Sequence, residues 1–102
     1  MIAVIDDHRT EIVALCRDHH VLRLDLFGSA VSRRFNEATS DLDFLVEFEP
    51  ELTQGYADTY FGLLESLEAL LGRSVDLVVD SSVTNPYVRR SIESSRAPLY
   101  VR

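Results

Sequence analysis

Residues 26–48 read Leu-Phe-Gly-Ser-Ala-Val-Ser-Arg-Arg-Phe-Asn-Glu-Ala-Thr-Ser-Asp-Leu-Asp-Phe-Leu-Val-Glu-Phe. An apolar strand ends at Phe27, a Gly28-Ser29 turn breaks it, and a second apolar strand opens on Asp41 and Asp43. Residues i and i+2 of a strand point the same way and stand about 6.5–7 Å apart. Carboxylates on such stems can converge on one divalent cation or bridge two, since paired catalytic metals sit about 3.5–4 Å apart. Leu42, between them, points into the core and holds the pair rigid. Glycine lets a backbone approach a ligand closely, and the amides that open the next helix carry partial positive charge toward an anion. The Ser29 hydroxyl adds a donor. Each feature alone is weak, because acids on an exposed strand face are ordinary and Ser29 in isolation reads as a helix cap.

A third acid strengthens the reading. Residues 74–80, Ser-Val-Asp-Leu-Val-Val-Asp, form an alternating strand whose polar face carries Asp76. If this strand neighbours the one at 41–48, three carboxylates share a surface. They would offset most of the four positive charges of two divalent ions and leave the site receptive to a polyphosphate. The reaction implied is nucleotidyl transfer with in-line displacement. Asp41 and Asp43 are expected to bind metal, and Asp76 to complete the metal site or act as base toward an acceptor hydroxyl. Gly28 and Ser29 are expected to hold the β and γ phosphates.

The remaining pattern supplies a scaffold. Residues 5–20 read as a helix capped by Asp6 or Asp7, with His19 and His20 as a polar exit. Residues 21–27 form a strand with Leu22, Leu24 and Leu26 on one face and Arg23 and Asp25 on the other. Residues 29–34 fit a short helix, and 35–40 a polar loop. Tyr56, Tyr60, Leu63, Leu64, Leu67 and Leu71 repeat at helical spacing up to the stop at Gly72. Gly62 inside that helix costs about 1 kcal/mol relative to alanine, which implies close packing against a neighbour. Asn85-Pro86 opens a last helix to about Ser95, and residues 98–101 read as a short edge strand.

With 102 residues, 46% apolar and 26% charged, the chain reads as one globular domain spanning 1–102. No apolar run approaches the roughly 20 residues of a membrane span. The first residues lack a basic leader and a long apolar block, so no signal peptide is expected and the cytoplasm is the default location. Cys16 is the single cysteine, which excludes an intrachain disulfide and suits a small buried hydrophobe. Net charge is −7 and every basic residue is arginine. That balance argues against direct nucleic-acid binding, which depends on neutralising phosphates. Arg89, Arg90, Arg96 and Arg102 gather at the end of the chain; Arg89 and Arg90 are open to three roles, the exposed face of the last helix, a reach to the nucleotide or docking of an acidic partner.

Gly28-Ser29 followed by Ser40-Asp41-Leu42-Asp43-Phe44-Leu45-Val46-Glu47-Phe48 resembles the signature of minimal nucleotidyltransferase (MNT) domains in the polymerase-β-like superfamily. The similarity continues through Gly72-Arg73-Ser74-Val75-Asp76-Leu77-Val78 and Asn85-Pro86-Tyr87-Val88-Arg89-Arg90-Ser91-Ile92 to Pro98-Leu99-Tyr100. It implies an α+β fold, a small mixed and largely antiparallel sheet flanked by helices. It also implies magnesium, as two ions, and ATP as nucleotide donor. Many such domains are the antitoxin of a two-gene pair and transfer AMP to a tyrosine of a HEPN-type toxin, so a hetero-oligomer with such a partner is the expectation. By position, Gly28, Ser29, Asp41, Asp43 and Asp76 match the motif, with Ser40 beside it. One departure stands out. Members commonly carry Arg-Gly shortly after the Gly-Ser turn, whereas here Val31-Ser32-Arg33-Arg34-Phe35 has no glycine. Arg33 or Arg34 would then supply the phosphate-facing cation. Two other functions stay open at this point: an inactive binding module that neutralises its partner by occlusion, and a stand-alone enzyme acting on a small hydroxylated molecule or an RNA end.

Overall fold

A computed structural model describes residues 2–31 and 41–102. Four strands, β1 (Val21–Phe27), β2 (Leu42–Phe48), β3 (Val75–Val79) and β4 (Ala97–Val101), form one sheet in the order β3-β2-β1-β4. β1 runs antiparallel to β2 and β4, and β2 runs parallel to β3. The helices are α1 (Ala3–Asp6), α2 (Arg9–Asp18), α3 (Tyr56–Leu71) and α4 (Pro86–Ser95). The architecture is thus the expected α+β one, a mixed and largely antiparallel sheet with flanking helices.

One sheet face carries the core. Leu24 and Leu26 of β1 pair with Val46 and Phe44 of β2, and Phe44 pairs with Leu77 of β3. Ile12 and Cys16 of α2 and Leu63, Leu67 and Leu71 of α3 close over these residues in a single buried cluster. A register slip between Val21 and Arg23 puts Val21 into that core and leaves Leu22 half-buried, so the alternation expected from Leu22 begins at Leu24. Burial pushes the Cys16 thiol up to about 12, which fits a packing residue rather than a nucleophile.

The N-terminal helix differs from expectation. Residues 5–20 do not form one helix, because His8 Nδ1 donates to the Val4 carbonyl (2.8 Å). That carbonyl is the one the His8 amide would use in a continuing helix; the amide turns instead to Ile5 (3.0 Å), and α1 ends. His8 then occupies the N-cap of α2 without a side-chain cap, so neither Asp6 nor Asp7 caps it. At the other end His19 Nδ1 donates to the Leu15 carbonyl (2.7 Å), and His20 takes a left-handed φ of 56°. A Cβ on Gly62 would meet His19 Nε2 at 3.3 Å, so the close neighbour expected for that glycine is the imidazole of α2's exit.

The free side of β3 is covered from α3. The Val75 amide donates to Glu68 Oε2 (3.1 Å), and the Tyr60 hydroxyl donates to the Leu77 carbonyl (2.5 Å). Asn85 caps α4 by accepting from the amides of Tyr87 (2.9 Å) and Val88 (3.3 Å), with Pro86 following. Arg89 ties α4 back to the end of β3, donating to Asp80 Oδ1 and the Asp80 carbonyl (both 2.8 Å). It is a clamp within the chain, not a free cation. Among the described residues, no helix is long and apolar enough to cross a membrane.

Candidate active site

The second sheet face carries the polar chemistry. Residues paired across neighbouring strands lie on the same face, so Asp43 shares a side with Phe27 opposite it on β1 and with Asp76 opposite it on β3. Neighbouring strands are about 4.8 Å apart. Asp43 therefore stands between the end of β1, where the Gly28 turn begins, and the third acid. Asp41 precedes β2 by one residue and is exposed, as is Asp76, while Asp43 is half-buried. Two of the three acids are thus open to solvent, and the half-buried one stands between them and the turn. A cleft of about 300 Å³ bordered by Glu47, Phe48 and Tyr56 opens at the opposite end of β2, away from them.

Gly28 is required twice over. Its φ of +72° is left-handed, and a Cβ built on it would lie 2.5 Å from Asp43 Oδ2. The turn and the acid thus approach each other as closely as a bare backbone allows. The segment after it is a single 3₁₀ turn, Gly28–Ala30, closed by the Val31 amide on the Gly28 carbonyl (3.1 Å). Residues 32–40, and with them the expectations for Arg33, Arg34 and Ser40, lie outside the described residues. Gly28→Ala is expected to cost about 1–2 kcal/mol in the left-handed conformation and to push the Asp43 carboxylate out of place. A urea melt checks the first effect, and loss of MgATP binding by titration calorimetry checks the second.

Electrostatics mark Asp43 as the strained member. Burial first, then the charges of Asp76 and Asp41, push its carboxyl above its ordinary value. Three like charges at one sheet edge favour a cation or a proton. Among the described residues, no three His, Cys, Asp or Glu side chains close into a cage for an ion. The donor set nevertheless fits magnesium, which takes one or two carboxylates and fills its octahedron with water and substrate phosphate. It does not fit a fully protein-enclosed metal.

Sequence reasoning missed the support beneath the turn. Asp25, on the face of β1 opposite its leucines, is wholly buried. Arg96 Nε donates to its Oδ2 (2.5 Å) and Arg23 Nε to its Oδ1 (3.1 Å). Period-two alternation could not reveal this, because the partner arrives from 71 positions away. The arginine-rich tail was the available signal: Arg89, Arg96 and Arg102 all pair with acids of this chain, Arg102 with Glu49 and Glu51.

A family model described as nucleotidyltransferase domain matches residues 10–99. The chain belongs to that family. Two Methanocaldococcus jannaschii proteins named protein adenylyltransferase are similar to this nucleotidyltransferase. One is 37% identical over 92 residues, covering 82% of this chain and 90% of its own length. The other is 40% identical over 75 residues, covering 74% and 72%. A solved structure named as a minimal nucleotidyltransferase superposes with a TM-score of 0.75 at 32% identity, over 92% of this chain and 91% of that one. A chain from the complex of a tri-AMPylated Shewanella oneidensis HEPN toxin with MNT antitoxin superposes with a TM-score of 0.65 at 21% identity. That match covers 95% of this chain and 72% of the other, and it is a likeness of fold.

Proposed function

We propose that this nucleotidyltransferase moves AMP from ATP to a tyrosine hydroxyl of a HEPN-type partner protein, acting as the antitoxin of the pair. The observation that carries the reading is the register that sets Asp43 beside Asp76 on one side and beside the Gly28 turn on the other. In this reading leaving-group binding and acceptor activation fall on opposite sides of one acid. Support for a protein acceptor comes from the M. jannaschii relatives named protein adenylyltransferase, and for the partner from the shared fold of the toxin–antitoxin chains. The exposure of Asp41 and Asp76 is in keeping with an acceptor that comes from outside the chain.

In this reading Asp41 and Asp43 hold magnesium, Gly28 and Ser29 hold the β and γ phosphates, and Arg33 and Ser40 are assigned to nucleotide binding from the sequence alone. Magnesium bound there would supply charge neutralisation for the triphosphate and acidify the acceptor hydroxyl. Asp76 faces the side from which the acceptor enters and takes its proton, or completes the metal site. Displacement in line, with pyrophosphate leaving toward the turn at the end of β1, brings the acceptor in over β3.

The deciding experiment is incubation with ATP labelled at the α phosphate, magnesium and the co-encoded partner. Label on a partner tyrosine is the expected result. A partner neutralised without label overturns it in favour of occlusion. Ser29→Ala is expected to weaken triphosphate binding by about 1.5–3 kcal/mol, the size of a hydrogen bond to a charged group. Titration calorimetry with MgATP measures it, and an unchanged affinity leaves Ser29 as a turn residue.

A further inference from the structure

The Gly28 amide does not point at the acids. It donates to the side-chain hydroxyl of Ser95 (3.1 Å), the last residue of α4 and 67 positions along the chain. Ser95 is itself fixed from below. The next residue, Arg96, places its guanidinium on the buried Asp25 carboxylate, and its NH1 also reaches Glu93 Oε1 (2.5 Å). Asp25 lies two positions before Phe27 on the same strand, so the ion pair and the Ser95 bond grip β1 and its turn at adjacent points. At its other end α4 is tied to Asp80 through Arg89. The helix therefore spans from the end of β3 to the end of β1, with both ends fastened.

We propose that Ser95 is a positioning residue for the transfer reaction. It holds the Gly28 amide and so keeps the left-handed turn pressed against Asp43, and the Asp25–Arg96 pair sets the depth at which the hydroxyl sits. This rests on the reading of the turn as the phosphate site. It changes one part of that reading: the Gly28 amide is committed to the protein, and the glycine contributes its shape and its carbonyl-closed turn rather than a donor to phosphate. A hydroxyl at the end of α4 thus tunes the turn through a backbone amide. Without that bond, the left-handed residue has the extended conformations of glycine available to it, and the turn drifts off the carboxylate it must face.

The test compares wild type with Ser95→Ala and Ser95→Thr in two measurements. The first is hydrogen exchange at the Gly28 amide, followed by NMR on labelled protein without nucleotide. The second is MgATP affinity by calorimetry. Ser95→Ala is expected to speed Gly28 exchange about tenfold, the scale of one net hydrogen bond, and to weaken MgATP by a similar factor. Ser95→Thr, which keeps the hydroxyl, is expected to restore both. Unchanged Gly28 exchange in Ser95→Ala overturns the proposal, and so does faster exchange with unaltered MgATP affinity. Should Ser95→Ala fail to fold, Ser95→Thr and Ser95→Cys give the same comparison, the weak thiol acceptor falling between. If wild type binds no MgATP, the phosphate-site reading fails and the positioning role falls with it, while the exchange data still report whether Ser95 holds the turn.

Discussion

Asp41→Asn combined with Asp43→Asn is expected to lower AMP transfer by about a thousandfold or more, the scale at which charge stabilisation of a developing transition state is lost. The same protein should still show a cooperative melt and an unchanged circular dichroism spectrum. Both outcomes follow from one feature. Asp43 stands against Asp76 and the Gly28 turn on the polar sheet face, while the apolar face that holds the fold together lies on the other side of β2. Asparagine keeps the shape and removes the charge that would face magnesium. Measured transfer equal to wild type would return these acids to the status of a solvated strand face.

The double variant also has a signature in stability against pH. The Asp43 carboxyl is raised above its ordinary value by burial, Asp76 and Asp41. A raised folded-state value means that its protonated form is favoured by folding. That stabilisation is fully present below the unfolded value and is lost as pH climbs through the folded one. At neutral pH the ionised carboxyl therefore weakens the fold, so the asparagine variant should melt higher than wild type there. The difference should shrink as the solution is acidified. Thermal melts without nucleotide or magnesium across that acid range measure it; added magnesium should narrow the gap by stabilising the wild-type charge.

Asp25→Ala is expected to be the most damaging single change to stability, at about 3–5 kcal/mol. For a domain of this size that lowers the melting temperature by more than about 10 °C. The reason is not the loss of attraction but what remains. Arg96, whose side chain is only 17% exposed, would be left with its Nε against an empty buried site. Arg23 is 40% exposed and can turn to water instead. The double replacement Asp25→Leu with Arg96→Met should recover most of the loss, since a well-packed apolar pair leaves no buried donor without its acceptor. If both variants melt alike, packing and not the orphaned Nε sets the cost.

The sequence made some parts of this molecule plain for physical reasons. β2 was legible because Leu42, Phe44, Val46 and Phe48 recur at every second position over a full strand, and α3 because its leucines repeat up to a left-handed Gly72. The Asn85-Pro86 start of α4 was legible because a cap and a fixed φ are local chemistry. The meeting of Asp43 with Asp76 followed once two strands of the same polar pattern became neighbours. Hidden features were those decided by particular side-chain pairings, one of them local and two with partners distant along the chain. The break at His8 depends on an imidazole competing with its own amide for one carbonyl. The burial of Asp25 depends on Arg96, and the orientation of the Gly28 amide on Ser95. Neither periodicity nor spacing encodes such a pairing.

Glu68 and Tyr60, already noted for the backbone groups they take from Val75 and Leu77, also decide how the sheet can grow. A bare outer strand offers a ladder onto which any extended peptide can dock, the route by which sheets fuse sideways into fibrils. Here two rungs on the β3 margin are occupied by side chains of the protein's own helix, so a visiting strand finds no partner there. On the proposed reading, in which the acceptor comes in over β3, those two rungs keep it from zipping on as a further strand.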